Sequence, residues 1–364
     1  QKMINKEHKK ADRFEVAAWD WWYYAEKVKK AKYDLDEEMV RPYFELEIVR
    51  AGLFDTVQKL WGLTFTERTD IPVYQEDVKV YEVKEADGST VAIWYSDYFP
   101  RESKRGGAWM SSFRKQYYVG DERVVPVIYN VGNFTKPTAE TPALLSADEV
   151  GTMFHEFGHA LHGMLSDCRY ETLSGTSVSR DFVELPSQVM ENWAFEPEVL
   201  NNYAKHYRTG EPIPAELVAK LEKSKYFNQG FATVEYLAAC FLDMDWHTLA
   251  TAEEQDPDVF ETESMAKIGL IEQIVPRYRS PYFRHIFAGG YSAGYYSYVW
   301  AEVLDADAFE AFKETGNIFD ENTAKSFRDN VLSRGGSDES MKLYLQFRGK
   351  EPEIAPLLAR KGLD

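Results

Sequence analysis

Apolar positions recur at mixed three- and four-residue spacing from residue 12 to residue 69. Trp19, Trp22, Tyr23 and the run from Leu35 to Phe54 supply the stripes. That period is helical, and Pro42 is placed to start a helix, where its missing N–H costs little. Between 71 and 131 the pattern turns strand-like. VKVYEV, the Asp87-Gly88 turn and TVAIWYSDYF read as a hairpin, and VVPVIYNV at 124–131 is a third β-rich run. The helical period returns at Ser146. Ser146-Ala-Asp-Glu149 is an S-x-x-E capping box directly ahead of an apolar run, which predicts a helix over 147–165. Further helices are expected at 186–205, 214–228, 231–250, 292–312, 322–333 and 338–347, with Gly289-Gly290, Gly335-Gly336 and Gly349 as loop punctuation. No repeat and no low-complexity linker divides the chain. The expectation is therefore one mainly α domain over 1–364 with a small β-sheet element.

Composition narrows the partners. Hydrophobic residues make up 44% and charged residues 28% of the 364, ordinary values for a globular protein. Aromatics reach 15%, which suits wide apolar surfaces or a substrate channel. Lys and Arg number 42 against 60 Asp and Glu, a net charge of −18. Such a chain repels phosphate backbones and anionic bilayers, so neither nucleic acid nor membrane is an expected partner. The two cysteines, Cys168 and Cys240, form no C-x-x-C pair and read as free buried thiols in a reducing, cytoplasmic setting. No apolar run is long enough to span a bilayer. The polar start QKMINKEHKKADRFE carries no signal peptide and no initiator Met, so a fragment of a longer parent is expected.

The chemistry centres on His155-Glu156-Phe157-Gly158-His159, an H-E-x-x-H motif inside the helix expected from 147. Four residues apart on a helix, His155 and His159 share one face. Two imidazoles so placed can hold one tetrahedral Zn²⁺ at about 2.0–2.1 Å each. Glu156 is offset around the helix, where it can reach the attacking water without ligating the metal, as a general base must. The competing reading is a solvent-exposed His/Glu helix face. A catalytic zinc needs a third protein ligand. Asp181, Glu184 and Glu191 are the candidates, three acids in an otherwise apolar stretch that must find partners.

HEFGHALHG followed by SGT, RDFVELPSQ and ENW resembles the thimet oligopeptidase family of zinc metallopeptidases, family M3. The resemblance extends over nearly the whole chain, through Trp19-Asp20, Asp97-Tyr-Phe-Pro-Arg101, Phe227-Asn-Gln-Gly-Phe231 and Leu332-Ser-Arg-Gly-Gly336. RDFVE, FNQG and DMDWH resemble the bacterial peptidyl-dipeptidase branch, whereas AGGYSAGYYSYVWAEVL and LSRGGS resemble the oligopeptidase A branch equally. The resemblance implies a zincin-like catalytic domain and one Zn²⁺ per chain. It puts the third ligand on Glu184, leaving Asp181 and Glu191 as candidates to orient the ligands. It also implies that a helical N-terminal half, usual in the family, is absent here and is a missing partner segment.

The second chemical stretch runs from His285 through Gly289-Gly290-Tyr291 to Tyr295-Tyr296-Ser-Tyr298. By the resemblance, His285, Tyr291 and Tyr298 bind substrate and donate hydrogen bonds to the oxyanion. Tyr295 is expected to line the same wall, and His162, one turn past His159, to lie near the substrate. Tyr296 reads equally well as a core aromatic. Arg279 and Arg284 could hold a substrate carboxylate, although a surface salt bridge is the commoner role; His8, His206 and His247 read as structural. The expected activity is hydrolysis of short peptides with release of C-terminal dipeptides. The alternatives are endo-cleavage by the same chemistry and a non-catalytic zinc- or peptide-binding fragment.

Overall fold

A computed structural model describes residues 1–363, and they gather into two units. The first comprises Gln1–Asp36 and Ala215–Trp300, the second Glu37–Pro214 and Ala301–Asp364.

The first unit is helical. Its helices include Trp21–Tyr33, Ala215–Ser224, Gln229–His247, Pro257–Lys267 and Arg284–Ala288. The Gln229–His247 helix buries Ala238, Ala239 and Leu242 against Met265, Phe283, Ile286 and Tyr295. Trp21 stacks on Phe231 with ring centroids 4.2 Å apart, which accounts for one of the aromatics in the resembling stretches.

The second unit carries the sheet. β1 (Thr64–Glu67), β2 (Lys79–Lys84), β3 (Thr90–Asp97), β4 (Trp109–Arg114) and β7 (Val127–Val131) form five strands in the order β1-β2-β3-β7-β4. β5 (Tyr117–Val119) and β6 (Glu122–Val124) form a separate two-stranded ribbon. β2 and β3 are the expected hairpin, and β3 pairs parallel to β7 while the other pairs are antiparallel. The structure corrects the reading of 12–69 as helical throughout. The Leu46–Trp61 helix is capped at Gly62, and Thr64–Glu67 pairs with β2 as an edge strand. Pro42 opens only a 3₁₀ turn, and the helix proper starts at Leu46 behind a Glu45 side-chain cap. The helix expected over 186–205 is two, Leu185–Phe195 and Pro197–Tyr203, because Pro197 cannot continue the first. The Pro257–Lys267 and Ala355–Lys361 helices carry too weak an apolar period to be read from the sequence.

The Ala147–Met164 helix starts on the expected box. Ser146 Oγ accepts from Glu149 N at 3.0 Å and Ser146 N donates to Glu149 Oε2 at 2.7 Å. Its inner face, Val150, Met153, Phe154, Phe157, Ala160 and Leu161, is fully buried. Phe157 is walled by Trp94 at 4.9 Å, Phe65 at 5.8 Å and Phe54 at 6.2 Å between centroids. Much of the aromatic content is therefore core. One polar tie joins helix to sheet: Asn130, on β7 and fully buried, donates to Glu156 O at 2.7 Å and accepts from Trp94 Nε1 at 2.7 Å. Asn130→Ala should leave Trp94 Nε1 buried and unpaired, at a cost of about 1–3 kcal/mol, while Glu156 O keeps its partner within the helix. Denaturant unfolding of the purified variant checks that loss.

Candidate metal centre

Two backbones must approach closely to build this site. The segment after Glu184 enters the Leu185–Phe195 helix, with Pro186 in its first turn, and crosses the Ala147–Met164 helix at Gly158. A Cβ on Gly158 would lie 2.2 Å from Pro186 O and 2.6 Å from Ser187 Cα. The glycine between the two histidines is what lets the third acid in. His155, His159 and Glu184 thereby present one ligand atom each, all within 4.8 Å of one another. Glu184 Oε2 lies 3.3 Å from His155 Nε2 and 3.1 Å from His159 Nε2. The imidazole centroids are 5.0 Å apart with planes at 86°.

Supporting bonds fix these donors. Glu184 is 1% exposed, and Ser187 Oγ donates to its Oε2 at 2.9 Å. Glu191, one helical repeat further, pairs with His155 Nδ1 at 2.6 Å. A carboxylate behind an imidazole sets its tautomer and raises its basicity. Burial opposes charge on His155, but the hydrogen bonds and charges of Glu184 and Glu191 outweigh it and raise its pKa well above the usual value. Burial likewise opposes ionisation of Glu184, yet the two imidazoles hold its carboxyl well below the usual range. Asp181 lies outside the facing ligand atoms. Glu191→Gln should weaken zinc binding about 10–100-fold, read by competition with a coloured chelator.

Glu156 is 8% exposed and its Oε2 is buried with no hydrogen-bond partner. Burial raises its pKa, against the lowering pull of His155 and His159. An unsatisfied carboxylate oxygen beside a His-His-Glu donor set fits a base reserved for a reactant. The donors, two imidazoles and one carboxylate with supporting hydrogen bonds, fit a zinc ion. His162 is placed differently from the expectation. It is fully buried and burial pushes its pKa down to about 3, so it sits in the core and not on a substrate-facing surface.

The first unit gathers the other set. His285 lies 5.9 Å from Tyr291 and 6.4 Å from Tyr298 between centroids, and the two tyrosines stack at 5.3 Å with planes 10° apart. All three are half-buried. Tyr295 is the core aromatic of the pair, and Tyr296, for which a core place read equally well, is not. Tyr295 is 3% exposed and packs on Phe283 at 4.8 Å, while Tyr296 is 45% exposed. The cause is a left-handed residue, Ala293 at φ +51°, which delays the helix to Ser297–Glu314 and resets its faces. Arg279 is paired with the buried Glu261, which favours the salt-bridge role. His8 and His206 hydrogen-bond locally, to Tyr24 and Arg208 N.

Asn130 and Asp243 are the positions that the sequence did not single out. Each is a polar side chain inside an apolar run, which is the signal that could have marked it.

Residues 1–363 match the sequence signature of peptidase family M3. The dipeptidyl carboxypeptidase of Escherichia coli (strain K12) is 48% identical over 354 residues, 96% of this chain and 52% of that protein. Oligopeptidase A of the same organism is 43% identical over 355 residues, again 96% and 52%. The chain thus spans about half the length of the curated relatives it matches. The crystal structure of BsuCP superposes with a TM-score of 0.50 at 13% identity, covering 93% of this chain and 62% of that one, a likeness of fold alone. Among the described residues no helix is long and apolar enough to cross a membrane.

Proposed function

Because the chain belongs to peptidase family M3, we propose that it hydrolyses short peptides as a zinc metallopeptidase and releases C-terminal dipeptides. The support that weighs most is the meeting of His155, His159 and Glu184 beside a buried Glu156 whose Oε2 has no protein partner. In this reading the whole chain works as one catalytic domain. His155, His159 and Glu184 hold one Zn²⁺, which when bound supplies the Lewis acidity that polarises a scissile carbonyl and makes water nucleophilic. Glu156 takes the proton of the attacking water and passes it to the leaving amine. Glu191 keeps His155 in its ligating tautomer. His285, Tyr291 and Tyr298 bind substrate and donate hydrogen bonds to the oxygen that turns negative. Residence in the cytoplasm belongs to the same reading, supported by the free buried thiols of Cys168 and Cys240. So does partnership with the polypeptide that the longer relatives carry outside the matched half.

The test is cleavage of a quenched peptide, abolished by a chelator and restored by zinc. Amidating the C-terminus of that peptide removes a charged anchor and should lower kcat/KM about 10–100-fold. An unchanged rate on the amidated peptide would replace dipeptide release by endo-cleavage. Stoichiometric zinc with no cleavage would leave a binding fragment.

A further inference from the structure

The Gln229–His247 helix carries an acid on its buried face. Asp243 is 1% exposed, in surroundings where an ionised group needs partners. Its Oδ1 accepts from Ala293 N at 2.9 Å and faces His247 Nδ1 at 2.8 Å. Its Oδ2 accepts from Tyr295 N at 2.8 Å. The two peptide N–H groups belong to the turn that links Tyr291 to Tyr298. Ala293, which carries the first of them, stands at φ +51°, a left-handed conformation that residues with a Cβ rarely adopt.

The rest of the turn is tied at its ends. Tyr291 N donates to His285 O at 2.9 Å and Gly294 N to Tyr291 O at 2.8 Å. Tyr236 OH donates to Tyr295 O at 2.5 Å. Among the described residues only Asp243 reaches the Ala293 and Tyr295 amides with a charged acceptor, and bonds to an ionised acceptor are the strong ones. The turn is short and the rings of Tyr291 and Tyr298 stack across it. A shift at Ala293–Tyr295 therefore moves both rings.

We propose that Asp243 is the positioning residue of this turn: its carboxylate clamps the Ala293 and Tyr295 amides around the left-handed Ala293 and so sets where the Tyr291 and Tyr298 hydroxyls stand. This rests on the assignment of those tyrosines to the reaction. His247 Nδ1 stands beside the same residue, 2.9 Å from Asp243 O and 2.8 Å from its Oδ1. Because those tyrosines both hold substrate and meet the developing oxyanion, loss of the clamp lowers kcat and raises KM together.

Asp243→Asn keeps the volume but turns an N–H group toward one of the two amides. Hydrogen exchange at Ala293 and Tyr295 should speed up about 10–100-fold, with the remainder of the Gln229–His247 helix unaffected. On a quenched peptide kcat should fall up to about a hundredfold, at unchanged zinc content. Adding Ala293→Gly, which adopts the left-handed turn freely, should recover part of that loss. Ala293 is exposed, so Ala293→Val perturbs the same turn without crowding the core and should reproduce the kcat loss if Asp243→Asn folds poorly. Tyr298→Phe serves as the reference. Unchanged exchange at the two amides in Asp243→Asn overturns the clamp, as does normal kcat in Asp243→Asn or Ala293→Val when Tyr298→Phe is impaired. Faster exchange with full kcat in both Asp243→Asn and Tyr298→Phe leaves the clamp standing and removes the catalytic assignment of the tyrosines instead.

Discussion

Glu156→Gln should lower kcat about 10²–10⁴-fold, the range for loss of a positioned general base, while the zinc content stays at one per chain. The two halves of that result come from separate features. Glutamine fills the same volume but cannot take up the proton of the attacking water. Glu156 is also absent from the three converging donor atoms, which are those of His155, His159 and Glu184, so metal capture survives. The fold should tolerate the change well. In the metal-free site burial raises the pKa of Glu156, so that site resists its negative charge. A neutral amide removes that charge, and the melting temperature of the metal-free protein should stay level or rise. Elemental analysis, a melting curve after chelation and turnover of a quenched peptide on one preparation check all three. Retained turnover at full zinc content would remove Glu156 from the reaction. A wild-type chain that binds zinc yet turns over nothing would show no difference between the pair.

What the sequence made legible was local. The capping box at Ser146, the spacing of His155 and His159, and the turn at Asp87-Gly88 each lie within a few residues, where chain geometry is fixed by period and propensity. Glu184 was one of three acids until the family resemblance separated them. The structure adds the physical reason, since Glu184 sits just ahead of the Pro186–Ser187 crossing at Gly158 and its carboxylate meets both imidazoles. Long-range partners were not legible. Asn130 reaches a carbonyl 26 residues away, and Asp243 an amide 50 residues away; no period records such a pairing. β4 escaped notice because its Ser111-Ser112 pair interrupts the apolar run, and its strand character comes from pairing with β7. Which of Tyr295 and Tyr296 faces the core was not legible, because one left-handed residue upstream, Ala293, sets it. The Ser174-Gly175-Thr176 and Ser333-Arg334-Gly335-Gly336 stretches, quoted only for the resemblance, interlock. Gly336 N donates to Leu173 O at 2.8 Å, and a Cβ on Gly335 would meet Leu173 O at 2.0 Å.

The helix crossing makes the remaining strong prediction. Gly158→Ala should disable zinc binding and destabilise the second unit together, because one contact serves both. The added methyl would lie 2.2 Å from Pro186 O, 2.6 Å from Ser187 Cα and 2.8 Å from Pro186 C. All three are backbone atoms in a buried helix start, so no side-chain rotation relieves the clash. The helices must part, and Glu184 and Ser187, which hold each other through a 2.9 Å hydrogen bond, move with the displaced turn. Overpacking of this kind costs about 1–3 kcal/mol or more, and the ligand set opens by the same displacement. Gly151 on the same helix supplies the contrast. A Cβ there would meet only Phe195 Cε2 at 3.9 Å, an ordinary contact, and alanine is the better helix former by about 1 kcal/mol. Gly151→Ala should therefore stabilise the protein slightly and bind zinc as before. Chemical denaturation and chelator competition on the two variants separate the outcomes. If Gly158→Ala melts and binds zinc like Gly151→Ala, the close crossing does not exist in solution and Glu184 is carried to the histidines by some other path.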